Sequence, residues 1–300
     1  MLNFQPIKIE DKDLIQPYFD ESTFRNCDFS FSNIFGWSHF YDTTFAIEDN
    51  CLYFRFIASN ESHSGYLFPL GGDTKKMIER IMQDAEERGD IFHIYSVTLE
   101  MYRLIEEAYP DLFEHHIHRD SFDYIYNSKD LITLVGKSFQ PKRNHINKFK
   151  KTYNWEYLPI TRDIIPDCMK LYKRWCKENG GCQTEKSLIE EGIATEKVFE
   201  NFDKLGLKGG ALRIDGEILA YSYGQPLTKD TFGVHAEKSL YEINGGFAMM
   251  NQQFAEHNCA DYLYINREED LGYESLRKAK LSYQPAILLE KGTVKKKLFG

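Results

Sequence analysis

The hydrophobic positions of this chain change period many times, between the two-residue alternation of strands and the three-to-four-residue spacing of helices. A strand is predicted at residues 4–9, a helix at 11–18, and a second helix at 30–41 with an aromatic face. Residues 43–47 and 51–57 read as a strand pair around the turn formers Asp49 and Asn50. A strand at 65–70 ends in Gly71-Gly72. A helix at 75–88, a strand at 91–97, a helix at 99–108 that stops before Pro110, and a strand at 121–126 follow. The second half opens with a basic helix at 139–153, capped by Ser138 with Pro141 in its first turn, and a strand at 155–160. Helices at 164–178 and 188–202 flank a Gly-rich polar loop at 179–184. A hairpin at 211–214 and 218–223 turns on Asp215-Gly216. A strand at 231–236, the pair Gly245-Gly246, a helix to His257, a strand at 262–266, a helix at 273–281 and a strand at 286–289 complete the pattern. Lys295, Lys296 and Lys297 read as a basic tail.

Each half therefore reads helix, helix, hairpin, strand, Gly-Gly, helix, strand, helix, strand. That order predicts a tandem duplication with domains at 1–130 and 131–300. The fold class expected is α+β, with two mixed sheets flanked by helices. A hairpin feeding a strand, a Gly-bearing turn and a helix resembles the core of the GNAT (acyl-CoA N-acyltransferase) fold. In that fold the turn's N–H groups hold a pyrophosphate at the helix N-terminus. The loop here is Glu242-Ile243-Asn244-Gly245-Gly246-Phe247-Ala248. Read from Gly246, Ala248 fits the usual coenzyme A loop and Ile243 does not. A turn that needs an unusual φ explains the two glycines equally well.

Composition narrows the classes. The 300 residues carry a net charge of −9, which argues against attraction of the whole surface to nucleic acid or anionic lipid. The charge is uneven: residues 131–155 contain no acid but include Lys137, Lys142, Arg143, Lys148, Lys150 and Lys151. Six cysteines with no CxxC spacing suggest scattered reduced thiols rather than a disulfide frame or zinc site. The N-terminal MLNFQPIKIE has no basic and apolar leader, and no apolar run reaches the roughly 18–20 residues of a membrane span, so a cytoplasmic location is expected. No G-x-S-x-G, Walker, dinucleotide or HExxH motif is present, which disfavours covalent and metal chemistry. His115, His116 and His118 read as a surface turn.

Two regions concentrate candidate chemistry. Arg267, Glu268, Glu269 and Asp270 follow a strand and precede a helix bearing Arg277 and Lys280. At 100° per residue those two cations share a face with Tyr273 and Leu276, which points them inward. Asp270 as a helix cap, or an ion-pair scaffold, accounts for the cluster as well as a substrate site does. His235 and Glu237, two apart on a strand, share a face just upstream of Gly245-Gly246, where a base for acyl transfer would stand. One of them as a sheet residue and the other solvated is the bland alternative. Lys142, Arg143 and Lys148 are candidates for a phosphate-bearing donor, against a solvated amphipathic helix.

Several runs resemble a known family. They are Lys142-Arg143-Asn144-His145-Ile146-Asn147-Lys148-Phe149, His235-Ala236-Glu237-Lys238, Asn244-Gly245-Gly246-Phe247, and above all the run from Asn266 through Arg267, Glu268, Glu269 and Asp270 to Gly272, with Leu276 to Tyr283. The chain resembles the C-terminal catalytic domain family of phosphatidylglycerol lysyltransferases, in its stand-alone bacterial form. The resemblance implies a tandem GNAT-like fold akin to Fem-type aminoacyltransferases, and transfer of an aminoacyl group from tRNA to a lipid headgroup. It covers 142–283 in motifs, without the family's transmembrane flippase portion.

The expected function is an acyl- or aminoacyltransferase moving a group from aminoacyl-tRNA or acyl-CoA to an amine or hydroxyl of a small-molecule or lipid-headgroup acceptor. Catalytic candidates are His235, Glu237 and Glu269. Donor-binding candidates are Asn244, Gly245, Gly246, Phe247, Lys142 and Arg143. Substrate-binding candidates are Arg267, Glu268, Asp270, Arg277 and Lys280. No metal or tightly bound cofactor is expected; acyl-CoA or aminoacyl-tRNA would be a co-substrate, and tRNA a partner. The alternative is a non-catalytic ligand-binding protein on a degenerate GNAT fold.

Overall fold

The structure is a computed structural model that describes residues 1–57, 64–179 and 186–297. Most of the loop expected at 179–184 lies outside the described residues. The first elements are β1 (Gln5–Pro6), α1 (Lys12–Glu21), α2 (Phe31–Trp37), β2 (Thr44–Glu48), β3 (Cys51–Ile57), β4 (Ser64–Leu67), α3 (Thr74–Arg88), β5 (His93–Thr98), α4 (Leu99–Ala108) and β6 (Phe113–Ile117). Next come β7 (Asp123–Asn127), α5 (Ser128–Thr133), α6 (Gln140–Thr152), β8 (Trp155–Pro159), α7 (Ile165–Glu178), α8 (Lys186–Glu200), α9 (Phe202–Leu205), β9 (Lys208–Ile214), β10 (Glu217–Pro226) and β11 (Thr231–Ser239). The chain ends with α10 (Gly246–Asn258), β12 (Tyr264–Asn266), α11 (Glu274–Leu281), β13 (Ile287–Leu289) and β14 (Lys291–Lys296).

Local chemistry explains where these elements begin and end. The Asp73 carboxylate caps α3 by accepting from the Lys76 N–H at 3.1 Å, and Gly89 ends it in the left-handed region at φ 71°. Met77, Ile78, Ile81 and Ala85 make its buried stripe. Helix α10 differs: Met249, Met250, Phe254 and Ala255 are buried together with Asn251 and Gln253, as in a helix packed on several sides.

Two mixed sheets result, as the element order predicts. The first runs β1-β2-β3-β4-β5-β14-β6 and the second β13-β7-β12-β11-β10-β9-β8. In each, an antiparallel meander leads to one parallel pair, β4 with β5 and β11 with β12. In each, the next strand comes from the other half of the chain: β14 lies between β5 and β6, and β7 lies between β12 and β13. The compact units are accordingly not consecutive. Unit 1 comprises Met1–Asp123, Glu269–Arg277 and Leu288–Gly300; unit 2 comprises Tyr124–Glu268 and Lys278–Ile287.

Three expectations are corrected. The basic tail is largely strand β14, with Lys291 and Val294 fully buried. His115 and His116 lie on β6, pairing with Val294 and Thr293, rather than in a surface turn. Cys27, Cys51, Cys168 and Cys259 are free and buried, but Cys176 is disulfide-bonded.

Lys291 is the electrostatic centre of unit 1. Its ammonium lies 2.8 Å from Asp28, 2.8 Å from Asp123 and 2.5 Å from Glu269. Burial opposes its charge, but Asp123 and Asp28 outweigh that and hold its pKa well above the ordinary lysine value. Burial also raises Glu269, to about 7. Lys291 opposes the rise, while Asp28 and Asp123 add to it. Asp28 moves the other way, because Lys291 outweighs its desolvation. Replacing Lys291 by Met leaves three carboxylates around an apolar side chain, so the unfolding free energy from urea titration should fall by about 3–5 kcal/mol.

The raised Glu269 pKa gives a second outcome. Its folded-state value lies above the ordinary carboxylate value, so its contribution is full below about pH 4.5 and is lost as pH rises through about 7. Asp28, being lowered, changes only below that window. Urea midpoints measured between pH 5 and 8 should therefore fall with pH in the native chain and flatten in Glu269→Gln.

Candidate functional site

The site in unit 2 is built where β11 and β12 part. Thr231, Phe232 and Gly233 pair with Tyr264, Ile265 and Asn266, after which β12 ends while β11 runs on to Ser239. A bulge sits at the same place: Val234 pairs with Gly224 and Ala236 with Tyr223, so the register passes over His235. Gly224 is required there, since a Cβ would stand 1.9 Å from the Gly233 carbonyl oxygen.

Side chains span the gap that the ladder leaves. His235 Nδ1 lies 2.8 Å from Glu268 Oε1, with its ring 3% exposed. Arg267 Nη2 donates to Glu237 Oε1 at 3.0 Å, and Asn251 Nδ2 of α10 donates to Glu237 Oε2 at 3.3 Å. Glu268 adopts φ 59°, a turn that lets consecutive residues Arg267 and Glu268 serve two different partners. Burial opposes the Arg267 charge, yet Glu237 and the Tyr126 and Tyr283 rings' hydroxyls outweigh it and raise its pKa. The guanidinium carbon lies 5.1 Å from the Tyr283 ring centroid and 5.8 Å from that of Tyr126. Lys142 of α6 stands 4.0 Å over the Tyr283 ring; burial, then repulsion from Arg267, pushes its pKa down. Lys280 donates to the Arg267 carbonyl oxygen at 2.5 Å.

The remaining expected residues are placed elsewhere. Glu269 bonds Lys291, and Asp270 is held by Arg277 at 2.8 Å and Arg119 at 3.1 Å, all within unit 1. Arg277 also pairs with Asp120 at 2.6 Å. The face expected to point inward is only partly buried: Lys280 is buried, but Tyr273 is 53% and Leu276 36% exposed. Arg143 donates to the backbone carbonyls of Leu134 and Gly136 and to Gln140 Oε1, so it serves the start of α6.

Helix α6 also covers the Gly245-Gly246 turn. Gly245 precedes α10 at φ 84°, and a Cβ there would lie 2.7 Å from the His145 carbonyl oxygen. The Asn244 N–H donates to the Tyr153 hydroxyl at 3.2 Å and the Gly246 N–H to the Ile243 carbonyl at 2.9 Å. Phe247 packs on Tyr241 with centroids 5.8 Å apart. A shallow depression of about 490 Å³ lined by Lys129, Asp130, Tyr262 and Leu263 shares no residue with the His235 and Arg267 cluster.

Sequence reasoning missed Asn251, Tyr126 and Tyr283. The usable signal was the run Asn251-Gln252-Gln253 inside an otherwise apolar helix, where buried amides call for polar partners. It also missed Asp28, Asp123 and Lys291. Cys27, Asp28 and Glu269 place ligand atoms within 4.8 Å of one another, but the Lys291 ammonium already supplies the cation there.

Two mixed sheets, each with a meander, one parallel pair and flanking helices, define an acyltransferase-type fold of the tandem GNAT-like kind. The chain belongs to the family described as phosphatidylglycerol lysyltransferase, C-terminal, which matches residues 19–292. A conserved protein of unknown function from Bacteroides thetaiotaomicron is 43% identical, with a TM-score of 0.94 over 99% of this chain and 100% of that one. L-PGS from Bacillus licheniformis is 14% identical with a TM-score of 0.64, covering 97% of this chain and 93% of that one. FemX is 8% identical with a TM-score of 0.60, covering 98% and 96%. Those two likenesses show a shared fold. An uncharacterised protein of Mycoplasmoides gallisepticum is 28% identical over 187 residues; the match spans 60% of this chain and 58% of that protein. Among the described residues no helix is long and apolar enough to cross a membrane.

Gly245→Ala tests the packing of α6 on the turn. With a positive φ and a backbone oxygen in the way, it should lower stability by about 1–3 kcal/mol, read from the thermal or urea midpoint.

Proposed function

We propose that this chain is an aminoacyltransferase that moves an aminoacyl group from a tRNA ester to an amine or hydroxyl of a small-molecule or lipid-headgroup acceptor. The observation that carries this reading is the His235–Glu268 pair beside Glu237–Arg267, at the point where β11 and β12 separate. Acyl transfer needs an oriented acceptor, a base for its proton and donors for the oxyanion that forms at the carbonyl. His235 takes the acceptor's proton as the new acyl bond forms and returns it to the ribose oxygen as the ester bond to tRNA breaks; Glu268, at Nδ1 of the ring, orients the imidazole and stabilises the cation that forms in between. The guanidinium of Arg267 supplies positive charge that orients an anionic substrate beside the reacting carbonyl. Glu237 holds that guanidinium in place. Lipid headgroup and tRNA come into this reading from the family's name and from the resemblance.

The donor is an ester rather than a coenzyme A thioester in this reading. Pyrophosphate binding at a helix start needs free backbone N–H groups and room for the phosphates. The Asn244 and Gly246 N–H groups are engaged, and the His145 backbone lies against Gly245.

The test is transfer of a labelled aminoacyl group from tRNA to phosphatidylglycerol vesicles and to soluble amines, with acetyl-coenzyme A as the competing donor. His235→Asn should lower kcat by about 10²–10⁴-fold, the usual worth of a general base, and Glu268→Gln should lower it less. Equal turnover by wild type and His235→Asn would end the assignment. Ligand binding without turnover from either donor would favour the binding-protein alternative.

A further inference from the structure

The two side chains that hold Glu237 are each left half-used. Arg267 gives Nη2 to the carboxylate and keeps Nη1 buried without a hydrogen-bond partner. Asn251 gives Nδ2 and keeps Oδ1 buried without a partner, on a residue only 4% exposed. An Arg–carboxylate pair meant only as a scaffold would gain by using both arms of the fork. Here one arm is held back, and a buried donor on a charged group is costly to leave unmade.

Charge points the same way. The Tyr283 ring carries two cations, Arg267 at 5.1 Å and Lys142 at 4.0 Å, against the single carboxylate of Glu237. The two repel, and that repulsion helps push the Lys142 pKa down. A singly charged anion between Lys142 and Arg267 would balance the cluster.

We propose that Arg267 Nη1 and the Lys142 ammonium bind a singly charged oxyanion of a substrate, a phosphodiester or carboxylate, while Asn251 Oδ1 accepts from a hydroxyl or N–H beside that anion. The site rests on the transferase reading only in assigning the oxyanion to a substrate; binding itself is measured without any acyl donor.

The experiment titrates the full chain with dimethyl phosphate, with acetate and with glycerophosphoglycerol, following the Arg267 guanidinium and Lys142 side-chain signals by NMR. Saturable binding is expected, with the Lys142 pKa rising when the anion is bound. Arg267→Lys keeps the charge but loses the fork, and should weaken binding about tenfold or more. Lys142→Gln, at a half-buried position, should do likewise without unfolding the chain, as checked by its thermal midpoint. Preference for glycerophosphoglycerol over dimethyl phosphate would support the site and assign a hydroxyl-bearing headgroup; preference for acetate would support it as a carboxylate site. No saturable binding of any probe to the native chain, or equal binding by native and Lys142→Gln protein, would overturn it. Anion binding without aminoacyl transfer would overturn the transferase reading alone.

Discussion

The end of the β11–β12 ladder is the constraint on which the unit 2 site depends. Two parallel strands that stop pairing leave backbone groups and space that something else has to fill. On the β12 side the backbone turns to β7: the Arg267 N–H donates to the Tyr124 carbonyl at 2.9 Å, and the Tyr124 N–H donates to the Glu268 carbonyl at 3.1 Å. The chain after β12 is thus fixed while its side chains remain available to the gap. His235, outside the ladder register at its bulge, meets Glu268 across it, and Glu237 meets Arg267.

Unit 1 has the same break with the opposite chemistry. Tyr66 and Leu67 pair with Ile94 and Tyr95, and the next residue, Ser96, turns to φ 57° and donates to Asp28 at 2.6 Å. Here the polar cluster is rich in carboxylates, and Lys291 brings one ammonium from β14 to three of them. In unit 2 the corresponding region is rich in cations and retains unpartnered polar atoms. A duplicated architecture has produced one cluster with carboxylates in excess around a single ammonium and one in which a histidine–carboxylate pair stands beside clustered cations, which is why the functional reading falls on the second.

Much of the fold was legible because most elements bury one stripe and solvate the other. Helix α3, with its Asp cap, apolar stripe and Gly stop, follows its sequence closely. The hairpin of β9 and β10 turns where Asp215-Gly216 says it should. Strand β14 was not legible: a segment reading Lys-Gly-Thr-Val-Lys-Lys is coded as solvent by any hydropathy rule, and only partners from distant segments make a buried Lys291 tolerable. Strand β6 was hidden for the same reason by its histidines, and α5 by its shortness. Within the site, His235, Glu237, Arg267 and Glu268 could be nominated from residue type and spacing. Their pairing could not, because the bulge at His235 and the positive φ of Glu268 decide which side chain meets which.

The sequence by itself determined the alternation of elements, the repeated order of the two halves, the family likeness, and the concentration of charge between Arg267 and Asp270. Those are properties of local propensity and residue identity. Only the tertiary structure decided that neighbours in that run part company, Glu268 joining His235 in unit 2 while Glu269 joins Lys291 in unit 1. The physical reason is that buried charges are placed by their partners, and those partners lie on β7, β11, β14 and α10, whose proximity no local pattern encodes.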